Sequence, residues 1–124
     1  MTRRLMAGLE QSEKEIQNAI LQFLDFQPGF YYANQTVGIW DDKIKTHRKN
    51  PRAVTGVSDI CGFYSDGRAV YIEVKKPSNK RRPPHQVEFI ERANANNCIA
   101  IFATSLDEVI SLFDKLGKEE PWRV

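Results

Sequence analysis

The sequence predicts an α/β fold in which a mixed central sheet is flanked by helices. Three observations predict it. Apolar spacing switches between helical and strand periods along the chain, giving the order α-β-β-β-α-β-α. Two Ser-x-x-Glu boxes, Ser12–Glu15 and Ser105–Glu108, stand before runs of helical spacing. The run Cys98-Ile99-Ala100-Ile101-Phe102-Ala103 is continuously apolar, as in a strand buried on both faces. At 124 residues the chain is one domain's worth. It divides into a loose tail over 1–10 and a single domain over 11–124.

The elements follow in order. Ile16, Ala19, Ile20, Phe23 and Leu24 make the apolar stripe of a first helix behind the Ser12 box, ended by Pro28-Gly29. Residues 30–38 read as a strand. Residues 39–55 form a polar, basic stretch too long for an ordinary connection, so a functional loop is expected there. A hairpin comes next, with strands over 57–64 and 69–75 around the turn Ser65-Asp66-Gly67-Arg68. A second basic loop covers 76–84. Pro84 then precedes a helix from about His85 to Ala95, where its missing N–H costs least. After the apolar strand, Val109, Leu112, Phe113 and Leu116 mark a last helix that should stop at Gly117.

Composition narrows the class. No apolar run approaches the ~18 residues that span a bilayer, and the N-terminal residues lack the apolar segment of a secretory signal. Cys61 and Cys98 lie in apolar runs, which suits reduced, buried thiols in a cytoplasmic protein. The two cysteines and two histidines are too widely spaced for a structural zinc site. Charge is strongly segregated. Residues 43–82 carry eleven Lys/Arg against three Asp/Glu, whereas both flanking segments are net acidic. Such a basic block suits a polyanionic partner.

One constellation carries chemistry. On the second hairpin strand Tyr71, Glu73 and Lys75 share a face, opposite Val70, Ile72 and Val74. A turn near residues 66–67 puts Asp59 opposite Val74, within one residue of Glu73. Two carboxylates and a lysine therefore converge at the end of the hairpin from which both basic loops leave. A hard cation such as Mg²⁺ takes one or two protein carboxylates plus water and phosphate oxygens. A lysine alongside can stabilise charge on a reacting phosphate.

These residues carry a resemblance. Asp59 followed by Glu73-x-Lys75, after a helix bearing an acid, resembles the PD-(D/E)xK nuclease superfamily. Gly56-Val57-Ser58-Asp59-Ile60, Glu73-Val74-Lys75-Lys76-Pro77 and Gln86 resemble its virus-type replication–repair nuclease (VRR-NUC) domain, over about residues 13–116. The resemblance implies a restriction-endonuclease-like core and a Mg²⁺- or Mn²⁺-dependent DNA endonuclease. It also implies a catalytic set of Asp59, Glu73, Lys75, Gln86 and Glu15, with Asp59, Glu73, Val74 and Glu15 about the metal. Compact members resemble phage and bacterial resolvases of four-way (Holliday) junctions, which act as homodimers. Flap or nicking nucleases and a non-catalytic DNA-binding module are the alternatives. Two departures are Ser58, where the superfamily name has proline, and Asn96-Asn97, where glycine often precedes the last strand; asparagine also tolerates the left-handed conformation.

The remaining residues divide by position. Glu15 either closes the Ser12 box or reaches the cleft. Gln86 shares the inward helix face with Phe89, Ile90 and Ala93. Lys43, Lys45, Arg48, Lys49 and Arg52 in the first basic loop, and Lys76, Lys80, Arg81 and Arg82 in the second, are the expected phosphate contacts. His47 and His85 read as solvated or phosphate-contacting. Trp40, Tyr31 and Tyr32 read as core, with base stacking the lesser alternative, and Cys61 reads as a small buried hydrophobe.

Overall fold

The computed structural model describes residues 10–35, 39–48 and 57–119. Its elements are α1 (Glu13–Leu24), β1 (Phe30–Ala33), β2 (Ile39–Asp41), β3 (Thr46–Arg48), β4 (Ile60–Phe63), β5 (Ala69–Val74), α2 (Pro84–Ala95), β6 (Ile99–Ala103) and α3 (Leu106–Lys118). The main sheet has the order β1-β4-β5-β6. Its first two pairings are antiparallel and β5–β6 is parallel, so the expected mixed sheet flanked by helices is present. The parallel pair is joined through α2, the usual crossover for parallel neighbours.

Each end of a helix has a local cause. Ser12 Oγ accepts from the Glu15 N–H, and Glu15 Oε1 accepts from the Ser12 N–H, a complete capping box. Ser105 caps α3 in the same way through the Glu108 N–H, but the Glu108 carboxylate turns to Thr104, so this box is half made. Pro84 opens α2, and Asn97 follows its end with φ 64°, the left-handed conformation expected of that asparagine pair. Gly29 turns the chain into β1 at φ 107°; a Cβ there would lie 2.0 Å from the Phe63 carbonyl oxygen, so only glycine fits.

The two faces of the sheet differ. Ile60, Val70, Ile72, Val74, Ile99 and Ala103 pack under α1 and α3, with Ile16, Ile20, Leu24, Val109, Phe113 and Leu116 closing the main core. Tyr31 joins this core, its ring edge-on to Phe113 at 5.7 Å and its hydroxyl donating to the Pro28 carbonyl at 2.6 Å. The opposite face carries α2 over Tyr71, Ala100 and Phe102, with Ile90 and Ala93 buried between. Asn94 on α2 both donates to and accepts from the backbone of Ala100, so its amide satisfies part of the open β6 edge.

Several expectations are corrected. Over 39–48, the described part of the stretch 39–55, the chain is not a plain loop: the antiparallel pair β2–β3 makes a separate two-stranded sheet there. Of the strand expected over 30–38, Phe30–Ala33 is paired and residues 36–38 lie outside the described residues; the one expected over 57–64 is paired only from Ile60 to Phe63. The hairpin register is one residue off the expected one. Ile60 faces Ile72, so continuing the ladder puts Asp59 opposite Glu73 itself. Gly117 does not stop α3, which runs through it to Lys118. Cys61 is buried but Cys98 only half-buried; both are free thiols. Among the described residues no helix is long and apolar enough to cross a membrane.

Candidate active site

The site lies at the C-terminal end of β5, on the sheet face opposite the main core. Strand alternation puts Tyr71, Glu73 and Lys75 on that face, with Cys61 and Asp59 beside them on β4 and its approach. Glu73 is 5% exposed and Lys75 7%, which is unusual for charged side chains and acceptable only with partners. Lys75 Nζ stands 4.0 Å from Glu73 Oε1, and the Lys75 N–H donates to the Ala103 carbonyl at 2.9 Å, tying its backbone to the end of β6. Asp59 Oδ2 accepts from the Val74 N–H at 2.8 Å. In an extended strand a residue's N–H and C=O point to the same side, so the Val74 carbonyl faces the Asp59 side as well, while the Val74 side chain is buried in the core.

Gln86, on the first turn of α2, donates from Nε2 to Glu73 Oε1 at 3.0 Å. Its Oε1 is buried and has no partner among the described residues. A buried amide oxygen left unpaired is costly, and it marks this spot as one built for a further donor or positive charge. The Glu73 carboxyl is pushed up to about 7. Burial is the main cause. The neighbouring Asp59 charge and a hydrogen bond shared with Asp59 add to it, and Lys75 opposes it. Burial likewise pushes the Cys61 thiol up, as do the charges of Asp59 and Glu73, so this sulfur is an inert neighbour.

On the first helix it is Glu13, and not Glu15, that bonds the loop beside the site. Glu15 is exposed and engaged in the Ser12 box. Glu13 instead accepts from Asn79 Nδ2 at 2.9 Å and from the Lys76 N–H at 3.4 Å. The Asn79 bond is the largest effect and holds its carboxyl below its usual range; burial, next in size, opposes it, and the Lys76 N–H and the charges of Lys75 and Lys76 add to the lowering. Glu10 adds a bond from the Ser78 N–H at 2.9 Å. The start of the first helix thus clamps the second basic loop. The signal for Glu13 is present in the sequence: it extends the line Ile16–Ile20–Leu24 one turn toward the N-terminus. Asn79 has no such signal.

The basic residues separate into groups. Lys76, Lys80 and Arg81 are exposed beside the site. Arg82 turns inward, donating to the Asn79 and Arg81 carbonyls at 2.9 and 3.0 Å with its guanidinium 5.0 Å from the centre of the Phe102 ring. Lys43 and Lys45 are exposed on the β2–β3 turn. Arg48 belongs to β3, but its side chain, like those of Trp40 and His47, lies outside the described residues, as do Lys49 and Arg52 entirely. His85 is exposed.

The donor set fits a hard divalent cation. Asp59 and Glu73 supply adjacent carboxylates and Val74 a carbonyl, all oxygen, and a cation beside them would offset the burial and the Asp59 charge that raise the Glu73 pKa. No group of three His, Cys, Asp or Glu side chains poised for a metal occurs among the described residues. An ion here would therefore take water or substrate oxygens as well, as Mg²⁺ commonly does.

No protein-family model matches the sequence, and no relative is found among curated proteins. Solved structures do match. One named "VRR_NUC domain protein" superposes with TM-score 0.61 at 21% identity, over 88% of this chain and 90% of its own. Another, named "VRR_NUC domain", gives TM-score 0.56 at 19% identity, over 82% of this chain and 94% of its own. The chain therefore adopts the fold of VRR_NUC domain proteins.

Proposed function

We propose that this chain is a Mg²⁺- or Mn²⁺-dependent deoxyribonuclease that hydrolyses phosphodiester bonds in branched DNA, acting as a homodimer on four-way junctions. The observation that carries the reading is the meeting of Asp59, Glu73 and Lys75 on one sheet face, with Gln86 hydrogen-bonded to Glu73. Binding phosphate alone has no use for two adjacent carboxylates. The names of the structural neighbours support the nuclease part of this reading.

When bound, the metal supplies Lewis-acid polarisation of the scissile phosphate and lowers the pKa of an associated water. The chain's own residues do the rest. Val74 N–H fixes Asp59 and the Gln86 amide fixes Glu73, and these two carboxylates with the Val74 carbonyl would hold the ion. The Lys75 ammonium, carried on a backbone tied to the end of β6, stabilises charge developing on the phosphate oxygens. Lys76, Lys80 and Arg81 hold neighbouring phosphates and supply no base recognition. A four-way junction presents two symmetry-related strands, and two copies about a two-fold axis supply one cut to each.

Cleavage of a four-way junction, a flap and plain duplex, each with Mg²⁺, Mn²⁺ or EDTA, tests this reading. Metal-dependent cutting of the junction, lost in Asp59→Asn, is expected. Cutting of the flap alone, by a species that light scattering finds monomeric, replaces the junction reading. Absence of cutting on every substrate refutes the nuclease.

A further inference from the structure

The uncovered part of the sheet face that holds the acids is aromatic. Phe30 is 59% exposed, Tyr32 50% and Phe63 51%. Their rings are neighbours: Phe30 lies 6.0 Å from Phe63 and 6.2 Å from Tyr32, at tilts of 30° and 40°. Register continues the patch sideways, because Tyr32 faces Cys61 and Cys61 faces Tyr71. Tyr71, edge-on to Phe89 at 4.9 Å, borders a cleft of about 470 Å³ walled by α2, on which His85 and Arg92 stand. Arg92 is only loosely paired, 3.9 Å from Glu88. Asp59 and Glu73 are two residues along the same strands from Cys61 and Tyr71, about 7 Å at ~3.3 Å per residue.

Three half-exposed rings clustered together call for an occupant. At roughly 200 Å² per ring, half exposed, they offer about 300 Å². A stable protein partner needs about 800 Å² per side, so this patch alone does not hold a second copy. It does match a few stacked bases. In a duplex the base faces are covered by their neighbours; only unpaired nucleotides can present them to a ring. We infer that this face is a stacking platform for an unpaired strand. Bases rest on Phe30, Tyr32, Phe63 and Tyr71, phosphates lie toward Arg92 and His85, and the strand continues to the acid–lysine site. The inference rests on the nuclease part of that reading and not on the four-way junction, whose arms are fully paired; it adds a branched substrate with a single-stranded segment next to the cut, as a flap has.

The test is binding in EDTA, where no cleavage occurs. Fluorescence anisotropy compares a duplex bearing a single-stranded oligo-dT tail with the same duplex blunt-ended. The proteins are wild type, Tyr32→Ala/Phe63→Ala and Tyr32→Trp. The double variant should lose roughly five- to 150-fold in affinity for the tailed probe and nothing for the blunt one. Tyr32→Trp, which keeps an aromatic face, should bind the tail at least as well as wild type. A 2-aminopurine in the tail should be quenched by wild type and by Tyr32→Trp, and released from quenching in the double variant. Equal losses on both probes, unchanged affinity, or an unquenched probe with wild type overturns the platform. So does a wild-type dimer that the alanines dissolve, which assigns the patch to a second copy. Tail-specific binding by a protein that cuts no substrate leaves the platform standing and refutes the nuclease alone.

Discussion

Replacing Glu73 by glutamine should make the metal-free protein more stable at alkaline pH while removing its activity. Glu73 is almost wholly buried beside Asp59, and its carboxyl is raised from 4.5 to about 7. Below the unfolded value of 4.5 the side chain is neutral in both states and costs nothing. Between 4.5 and about 7 the folded chain binds the extra proton, so stability falls as pH rises; above about 7 the carboxylate is ionised in both states and the loss is complete. At about 1.4 kcal/mol per pKa unit, the full loss is about 3 kcal/mol, an upper figure because buried acids relax and admit water. A neutral glutamine of nearly the same shape still accepts from Gln86 and escapes this loss. Urea unfolding in EDTA should show Glu73→Gln stabler than wild type by up to about 3 kcal/mol at pH 8, and by about 1 kcal/mol or less at pH 5. Equal stabilities at pH 8, or a variant less stable there, would refute the claim that the acid pair is electrostatically strained without a cation.

The other predictions concern function. Asp59→Asn keeps an acceptor for the Val74 N–H, so its unfolding midpoint should stay within about 1 kcal/mol of wild type, while cleavage disappears and DNA affinity is retained or rises. Lys75→Ala should lower turnover by roughly 10²–10³-fold with metal binding intact in a titration, as for a group used at the transition state. An effect confined to KM would make it a phosphate clamp. Lys80→Ala/Arg81→Ala should flatten the log–log salt dependence of duplex binding by about 0.9 for each phosphate that is no longer neutralised. Arg82→Ala should instead lower thermal stability, because its guanidinium braces the loop.

Much of the site is legible in the sequence because a strand has only two faces. Alternation alone sets Tyr71, Glu73 and Lys75 together, and a recognisable turn sets Asp59 beside them to within one residue. The last residue of register depends on the turn's own hydrogen bonds, Tyr64 N–H to Arg68 and Gly67 N–H to Tyr64, and composition does not specify them. The helix acid is harder. A glutamate three residues after a serine satisfies a local rule, and Glu15 follows that rule, which leaves the longer-range role to Glu13. The pair β2–β3 escapes detection because strands of three residues, rich in charge, show no period. Tyr31 and Tyr32 are adjacent and chemically alike; only the register of β1 sends one into the core and the other into solvent.

The insertion between β1 and β4 has a closed neck. The Asn34 N–H donates to the Asp59 carbonyl at 2.7 Å, one residue beyond the Ala33–Ile60 pairing. Residues 35 to 57 lie between the two strands that this clip joins, and β2–β3 is the described part of that segment. Enlarging such an excursion costs little, about 0.6 kcal/mol for each doubling of its length, and leaves the sheet register untouched. This makes the segment an exchangeable cassette: hairpins of other lengths and charges can be grafted there to alter what the protein grips. The clip residue also carries one of the two proposed metal-binding carboxylates, so each graft would be anchored beside the proposed site. Swapping the cassette is then a way to change substrate choice while the carboxylates, the lysine and their scaffold stay in place.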